Sequence, residues 1–240
     1  MNEQTAADED QVEEDVDGTG VESEAVRMTG LVEDLLLLAR LDEGRELARE
    51  PVDLSMVLVD VVGDAHAAGP DHVWLLDLPD QPVVVTGDAA RLHQVVANLL
   101  ANARTHTPPG TSVRVSLERR TAAAAAGTAA GPDTSEAVLR VVDDGPGIPP
   151  DLLPEVFERF ARGDSSRSRA AGSTGLGLAI VASVVDAHGG AVEVGSMPGR
   201  TEITVRLPAA PVPAPTPTPS GDAGQVANPA PAASPAGAAS

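Results

Sequence analysis

The sequence has no cysteine, no lysine and no tyrosine, and its aromatic side chains apart from histidine are Trp74, Phe157 and Phe160. Without cysteine there is no disulfide framework, no thiolate nucleophile and no cysteine-ligated zinc or iron–sulfur site, and the chain fits a reducing compartment. With so few aromatics, the core must be built from Val, Leu, Ile and Ala. Basic charge is scarce too: 16 arginines stand against 36 acids, a formal net charge of -20. A general nucleic-acid binder needs a basic face to displace counterions, so a nucleic-acid partner is not expected. No run of about 18 or more apolar residues is present, and the N-terminus is acidic where a secretory signal would be basic. As written, the chain reads as a soluble, cytoplasmic protein.

The charge is unevenly placed. Residues 1–26 hold ten acids and no base, with almost nothing to bury, and read as a disordered acidic segment. Residues 209–240 are rich in Pro and Ala; PVPAPTPTP favours polyproline II and a solvated tail. A third low-complexity piece, 121–136, lies between two strand-like runs and reads as an expanded hairpin loop rather than a lid.

The remainder has a legible order of elements. From Met28 to Leu41, Met28, Leu31, Leu35 and Leu38 recur at three–four spacing, with Glu33, Asp34 and Arg40 off the stripe: a bundle or coiled-coil helix in need of a partner, within residues 27–48. An extended lead-in and an amphipathic helix to about Ala68 follow. Two short strands, HVWLLDL and PVVVTG, are read with a turn between them. Asp88 caps a long helix running to about Thr107 and stopped by Pro108-Pro109-Gly110. Strands at Ser112–Leu117 and Ala137–Val142 flank the Ala-rich loop. A helix from Leu176 to His188 ends at Gly189-Gly190, and Ala191–Val194 with Glu202–Leu207 form a final hairpin. Beyond the first helix this gives three helices and about six strands, mostly as hairpins: an α+β fold with helices on one face of a sheet.

Three stretches carry chemistry. On the long helix, Asn98 and Asn102 are four residues apart, so their amides share one face. Among Val95, Val96, Leu99 and Leu100 they need partners; neighbouring backbone would serve, and so would Mg²⁺, since amide oxygens are hard ligands. In VVDDGPGIP, a strand runs into Asp143-Asp144-Gly145-Pro146-Gly147. That is a common turn sequence, yet a carboxylate at a strand end followed by residues without Cβ also admits a flat ligand. In AGSTGLGLAIV, a glycine-rich loop feeds a helix whose first amides and dipole form an anion site. It is neither a Walker A sequence nor a dinucleotide-binding turn. Between the last two lies PEVFERFARGDSSRSRAAG, where Phe157 and Phe160 would pin the base of an arginine-bearing lid, 158–175.

In this order, the stretches resemble the boxes of the ATP-binding domain of sensor histidine kinases, within the wider family shared with gyrase, Hsp90 and MutL ATPases. NLLANARTHT looks like the N box, DDGPGIP the G1 box, FERF the F box and GSTGLGL the G2 box. RMTGLVEDLLLLARLDEG is similar to the second helix of the dimerisation and phosphotransfer hairpin that precedes this domain. The resemblance implies a Bergerat-type α/β sandwich over 50–208, with a mixed, mostly antiparallel sheet, ATP and Mg²⁺ as cofactors, and γ-phosphate transfer to a protein histidine. It implies that Asp143 accepts the adenine amino group, that Gly145 and Gly147 shape that pocket, and that Asn102 coordinates Mg²⁺ with Asn98 beside it. Gly175 and Gly177 would let the lid fold over the triphosphate, with Ile148, Phe160, Leu176 and Leu178 completing the nucleotide contacts. Arg159, Arg162 or Arg167 would neutralise γ-phosphate charge. An amide at Asn98, where water-hydrolysing relatives have a glutamate, cannot act as a base and favours transfer to a protein side chain.

The departures are Ser173 and Arg200, where glycine is usual, and an absent acceptor motif. None of His66, His72, His93, His106 and His188 is followed by the Glu, Arg and Thr-Pro of that motif. His188 is read as a helix cap. The expected partners are a phosphoacceptor hairpin, in a longer parent or in trans, a response regulator, and a weakly associating second copy. The chain reads as cut from a longer, membrane-anchored parent. Two other readings share the fold: an anti-sigma-factor-type serine kinase and a catalytically silent nucleotide-binding module.

Overall fold

The computed structural model describes residues 25, 28–43, 47–121, 135–161 and 174–210. The acidic segment, most of the Ala-rich loop, the interior of the lid and most of the Pro/Ala-rich tail lie outside the described residues. A first helix, α1, covers 28–42. Strand β1 (Glu50–Asp53) leads into α2 (Leu54–Ala68), followed by β2 (Val73–Asp77), β3 (Val84–Gly87), α3 (Ala89–His106), β4 (Ser112–Thr121) and β5 (Ser135–Asp143). A short 3₁₀ turn, Leu153–Glu155, precedes α4 (Gly177–Ala187), β6 (Ala191–Met197) and β7 (Arg200–Pro208).

The main sheet has the order β2-β4-β5-β7-β6, and β1 pairs with β3 in a separate two-stranded ribbon. All pairings are antiparallel except β2 with β4. The expected turn between β2 and β3 therefore does not make a hairpin. Each strand is too short to hold a face alone, and each is claimed by a different partner: Trp74 aligns with Val113, while Val85 aligns with Val52.

Alternation along the central strands separates two faces. Val113, Val115 and Leu117 of β4, Ala137, Leu139 and Val141 of β5, and Ile203, Val205 and Leu207 of β7 are all buried beneath the helices. The other face carries a charged lattice in which Arg140 reaches both Glu118 and Glu202, and Arg206 reaches Glu193. Burying apolar area stabilises by about 25 cal/mol per Å², and aliphatic rows of this kind do so here almost without aromatics.

The helices bury the stripes their sequences set out. In α2 these are Leu54, Leu58, Val61 and Val62; in α3, Leu92, Val95, Val96, Leu99, Leu100 and Ala103. Asp53 and Asp88 cap the two N-termini, accepting from the backbone N–H of Ser55 and Arg91. Helix α1 departs from its expected division. Leu37 and Leu38 are buried in the common core, with Leu31 and Leu41 packed against it, while Met28 and Leu35 lie outside with Val32 and Leu36. Asp34, expected off the stripe, faces the domain and accepts from Gln94 Nε2 at 3.4 Å. The three–four spacing fits two adjacent faces of one helix, and only the packing partner decides between them.

His188 does more than cap. Its Nδ1 lies 2.7 Å from the Val184 carbonyl and its Nε2 accepts from the Asp88 backbone N–H at 3.0 Å. The second bond requires a bare Nε2, so the Nδ1–H tautomer is fixed. The ring ties the end of α4 to the start of α3 across 100 residues. His188→Ala leaves the Asp88 N–H without its partner, while the Val184 carbonyl keeps the backbone N–H of residue 188, at 3.1 Å in the native chain; the expected loss is about 1–3 kcal/mol. Urea unfolding of the variant against wild type measures it; a change below about 0.5 kcal/mol contradicts the tie.

Candidate functional site

The inward row of β5 ends on Asp143, 8% exposed, at the margin where sheet and helices part. Burial pushes its carboxyl above the ordinary 3.8; the Gly145 N–H, donating to Oδ1 at 3.0 Å, pulls it back, and neighbouring Asp144 pushes it up again. Oδ2 remains as an acceptor. Asp144 faces outward and accepts from the Ser112 N–H at 2.8 Å, extending the β4–β5 pairing. Of two adjacent aspartates, one is thus a sheet extension and the other points inward.

The loop after Asp143 is packed where a Cβ cannot go. On Gly145 it would lie 2.6 Å from Thr107 Cγ2. Gly147 adopts φ +84°, a left-handed conformation, and its Cβ would lie 2.6 Å from the Met197 carbonyl oxygen. Thr107 ends α3: its hydroxyl donates to the Ala103 carbonyl at 2.8 Å and lies 3.0 Å from His72 Nε2. With that hydroxyl proton committed, His72 is the donor, and its buried Nδ1 has no partner among the described residues.

Asn98 and Asn102 lie one turn apart on α3, both half-buried. Asn98 Nδ2 donates to the Gly177 carbonyl at 3.2 Å, joining the asparagine face to the first residue of α4. Asn102 makes no side-chain hydrogen bond among the described residues. The α4 N-terminus has no side-chain cap, so its first-turn amides are open to an anion. Leu178 is half-buried, and Leu176 is wholly buried, its side chain part of the core.

The two described ends of the segment expected to form a lid meet through backbone rather than rings. Phe160 N–H donates to the Gly175 carbonyl at 2.9 Å, and Phe160 holds φ +64°, costly for a bulky residue. Its ring is 57% exposed, so it does not pin the base as expected; Phe157 is half-buried. Arg162, Arg167 and Ser173 lie outside the described residues. Arg159 is engaged elsewhere: one guanidinium nitrogen reaches both carboxylate oxygens of Asp42 on α1, at 2.8 and 2.6 Å. Ile148 follows Gly147, and its N–H donates to Ser196 Oγ at 2.8 Å.

The structure therefore sets Gly145, two residues after Asp143, against Thr107 at the end of α3, and joins Asn98 of the same helix to the first residue of α4. Sequence reasoning missed Thr107, Ser196, Gln94 and Asp42; the one signal available was the hydroxyls of Ser196 and Thr201, which flank a Pro-Gly turn.

Residues 87–211 match the family described as histidine kinase-, DNA gyrase B- and HSP90-like ATPases. The chain is 64% identical over 188 residues to the probable sensor histidine kinase TcrY of Mycobacterium tuberculosis, covering 78% of this chain and 37% of that one. Among solved structures, the mycobacterial sensor histidine kinase MprB is 36% identical with a TM-score of 0.57, covering 68% of this chain and 100% of that one. Full-length ShkA in complex with AMPPNP is 28% identical with a TM-score of 0.65, covering 81% and 38%. The chain spans less than two fifths of the length of TcrY.

Asp143→Asn should weaken adenine-nucleotide binding about tenfold to a hundredfold, because an acceptor bonded through its charge becomes an amide that can present its donor side. The raised carboxyl also sets a pH dependence. A bound amino group favours the carboxylate, so affinity is full above the raised value and falls as pH drops through it. The fall begins at a higher pH than an ordinary aspartate would give. Titration calorimetry of both proteins across acid pH tests this; wild-type affinity in Asp143→Asn removes the assignment.

Proposed function

The chain belongs to the histidine kinase-, DNA gyrase B- and HSP90-like ATPase family, among its sensor histidine kinases, and on that premise we propose that it binds ATP with Mg²⁺ and passes the γ-phosphate to a histidine of a partner protein. The observation that carries this reading is that α3 links the parts: Thr107 at its end packs on the loop after the buried Asp143, and Asn98 bonds the first residue of α4, whose N-terminus has no side-chain cap.

Each part has a task. Asp143 receives the adenine amino group, and the tight loop after it holds the base flat. The first-turn amides of α4 receive phosphate oxygens. Asn102 would hold Mg²⁺ together with those oxygens, supplying charge neutralisation during transfer. The fit rests on donor chemistry: the Asn102 amide makes no hydrogen bond among the described residues, and the Asn98 oxygen is left over once its nitrogen bonds Gly177. No cluster of three or more carboxylate or imidazole ligands occurs among the described residues. A cation shared with bound phosphates suits such a site better than one caged by protein alone. An amide at Asn98 takes no proton from water, so hydrolysis has no base there and positioning carries the transfer. The sensor-kinase relatives do not favour the serine-kinase reading.

As partners we propose an acceptor hairpin, a response regulator and a second copy of the chain. The exposed α1 residues Met28, Val32, Leu35 and Leu36 form the face for a further helix. No helix of the described residues is long and apolar enough to cross a membrane; we propose that this region works on the cytoplasmic side of a longer, membrane-anchored protein.

Two measurements follow. With γ-labelled ATP the chain alone should gain no acid-labile phosphate, because none of its histidines sits in an acceptor motif; adding an acceptor hairpin should produce base-stable, acid-labile label on that hairpin. Labelling would be slow, since tethering normally supplies an effective concentration of about millimolar. Acid-stable, base-labile label on a partner would support a serine kinase instead. In sedimentation, weak self-association should disappear in Leu35→Asp, which places a charge on the outer stripe; a tight dimer indifferent to that change contradicts the assignment.

A further inference from the structure

The loop that follows Asp143 is held by a turn far away in sequence. Asp143 on β5 aligns with Thr201 on β7, and Thr201 aligns with Ser196 on β6. These three residues form one cross-strand row at the margin of the sheet. From the far end of that row, Ser196 Oγ accepts the Ile148 N–H at 2.8 Å. The loop thus leaves the row at Asp143 and returns to it at Ile148 through a single hydroxyl.

Two further contacts seat the middle of the loop on the same turn. Gly199 N–H donates to the Gly145 carbonyl at 3.1 Å. Gly147 lies so close to Met197 and Pro198 that a Cβ would come within 2.6 Å of the Met197 oxygen. The Ser196 hydroxyl, having accepted from Ile148, has its own proton left to give. Thr201 Oγ1 lies 3.2 Å away and the Arg200 carbonyl 3.5 Å. Thr201 is 6% exposed, so its hydroxyl needs such a partner.

We propose that Ser196 is a positioning residue for base recognition: through the Ile148 N–H it fixes the Gly145–Ile148 loop against the β6–β7 turn, and so sets where Asp143 meets the purine. This rests on the nucleotide-binding reading of the site. Base selectivity depends on holding one acceptor opposite one amino group, and a loop released at one end no longer holds it. The phosphate-binding part, on α3 and α4, is built from other elements and is unaffected.

Ser196→Ala and Ser196→Thr test this in the full chain, by calorimetry with ADP, GDP and inorganic tripolyphosphate with Mg²⁺, alongside thermal unfolding and amide exchange. Ser196→Ala should bind ADP about five- to tenfold more weakly, the worth of one hydrogen bond. Its preference for ADP over GDP should shrink, tripolyphosphate binding should stay at the wild-type level, and the Ile148 amide should exchange faster. Ser196→Thr, which keeps the hydroxyl, should restore ADP affinity. Thr201→Val keeps the Ile148 bond and should keep the preference for ADP, which covers the case of a poorly folding alanine variant. Unchanged ADP affinity in Ser196→Ala, or equal losses for ADP and tripolyphosphate, overturns the proposal. A wild-type chain that binds no adenine nucleotide defeats the functional reading instead, and the two failures are distinct.

Discussion

The central strand β5 carries a row of inward side chains, Ala137, Leu139 and Val141, whose next member is Asp143. Three aliphatic steps hold the strand beneath the helices, and the same two-residue period forces the fourth side chain, a carboxylate, to face inward as well. A one-residue slip would send Asp143 to solvent and Asp144 inward. The site's electrostatics therefore depend on register. The in-register ladders of β4 and β7 on either side of β5 fix that register along the strand's whole length, which is more than the hydrogen bonds of Asp143 alone could secure.

Burying that carboxylate costs free energy that the fold must offset, and the cost shows in its raised pKa. A buried charge without a partner is expensive, and a single backbone donor from Gly145 is a partial answer. His188 joins the end of α4 to the start of α3 through the Asp88 N–H, and Asn98 joins the two helices through the Gly177 carbonyl. The two asparagines accordingly serve differently. Asn98 spends its donor on structure and keeps its oxygen, whereas Asn102, one turn on, is uncommitted among the described residues.

How much of this was legible beforehand depends on whether the governing contact is local. The bounds of α2, α3 and α4 follow from caps and periodicity within single segments, and each lies within about a turn of its expected place. The Ala-rich hairpin and the β6–β7 hairpin also form as expected, though the strands run longer, to Thr121 and Met197. Pairing between β2 and β4 was not legible, because a five-residue strand carries no signal for its partner. The face of α1 was misassigned for a similar reason: the helix has apolar residues on two sides, and Asp34 marks the domain side only through Gln94, sixty residues on. Asp143 and the asparagines stand out in the sequence because their types and spacing suit a ligand. Ser196 and Thr107 do not, since a hydroxyl bonded to a distant backbone amide or to a histidine looks like any surface serine or threonine until the chain is folded.

Arg159 shows the limits of reading chemistry from residue type. Its charge suits a phosphate, yet its guanidinium is held by Asp42 on α1, and it is next in sequence to the strained Phe160. Both side chains are about half exposed, and an exposed ion pair contributes less than about 1 kcal/mol. The pair therefore cannot lock α1 to the domain; Leu37 and Leu38, buried in the common core, do most of that. It can still bias which partner Arg159 keeps. Binding a phosphate at Arg159 and docking α1 through Asp42 draw on the same cation, so each weakens the other by the same factor. That factor is limited to what one surface pair supplies, about fivefold at most. Any larger coupling between α1 and the rest of the domain has to pass through the buried leucines or the Asp34–Gln94 bond.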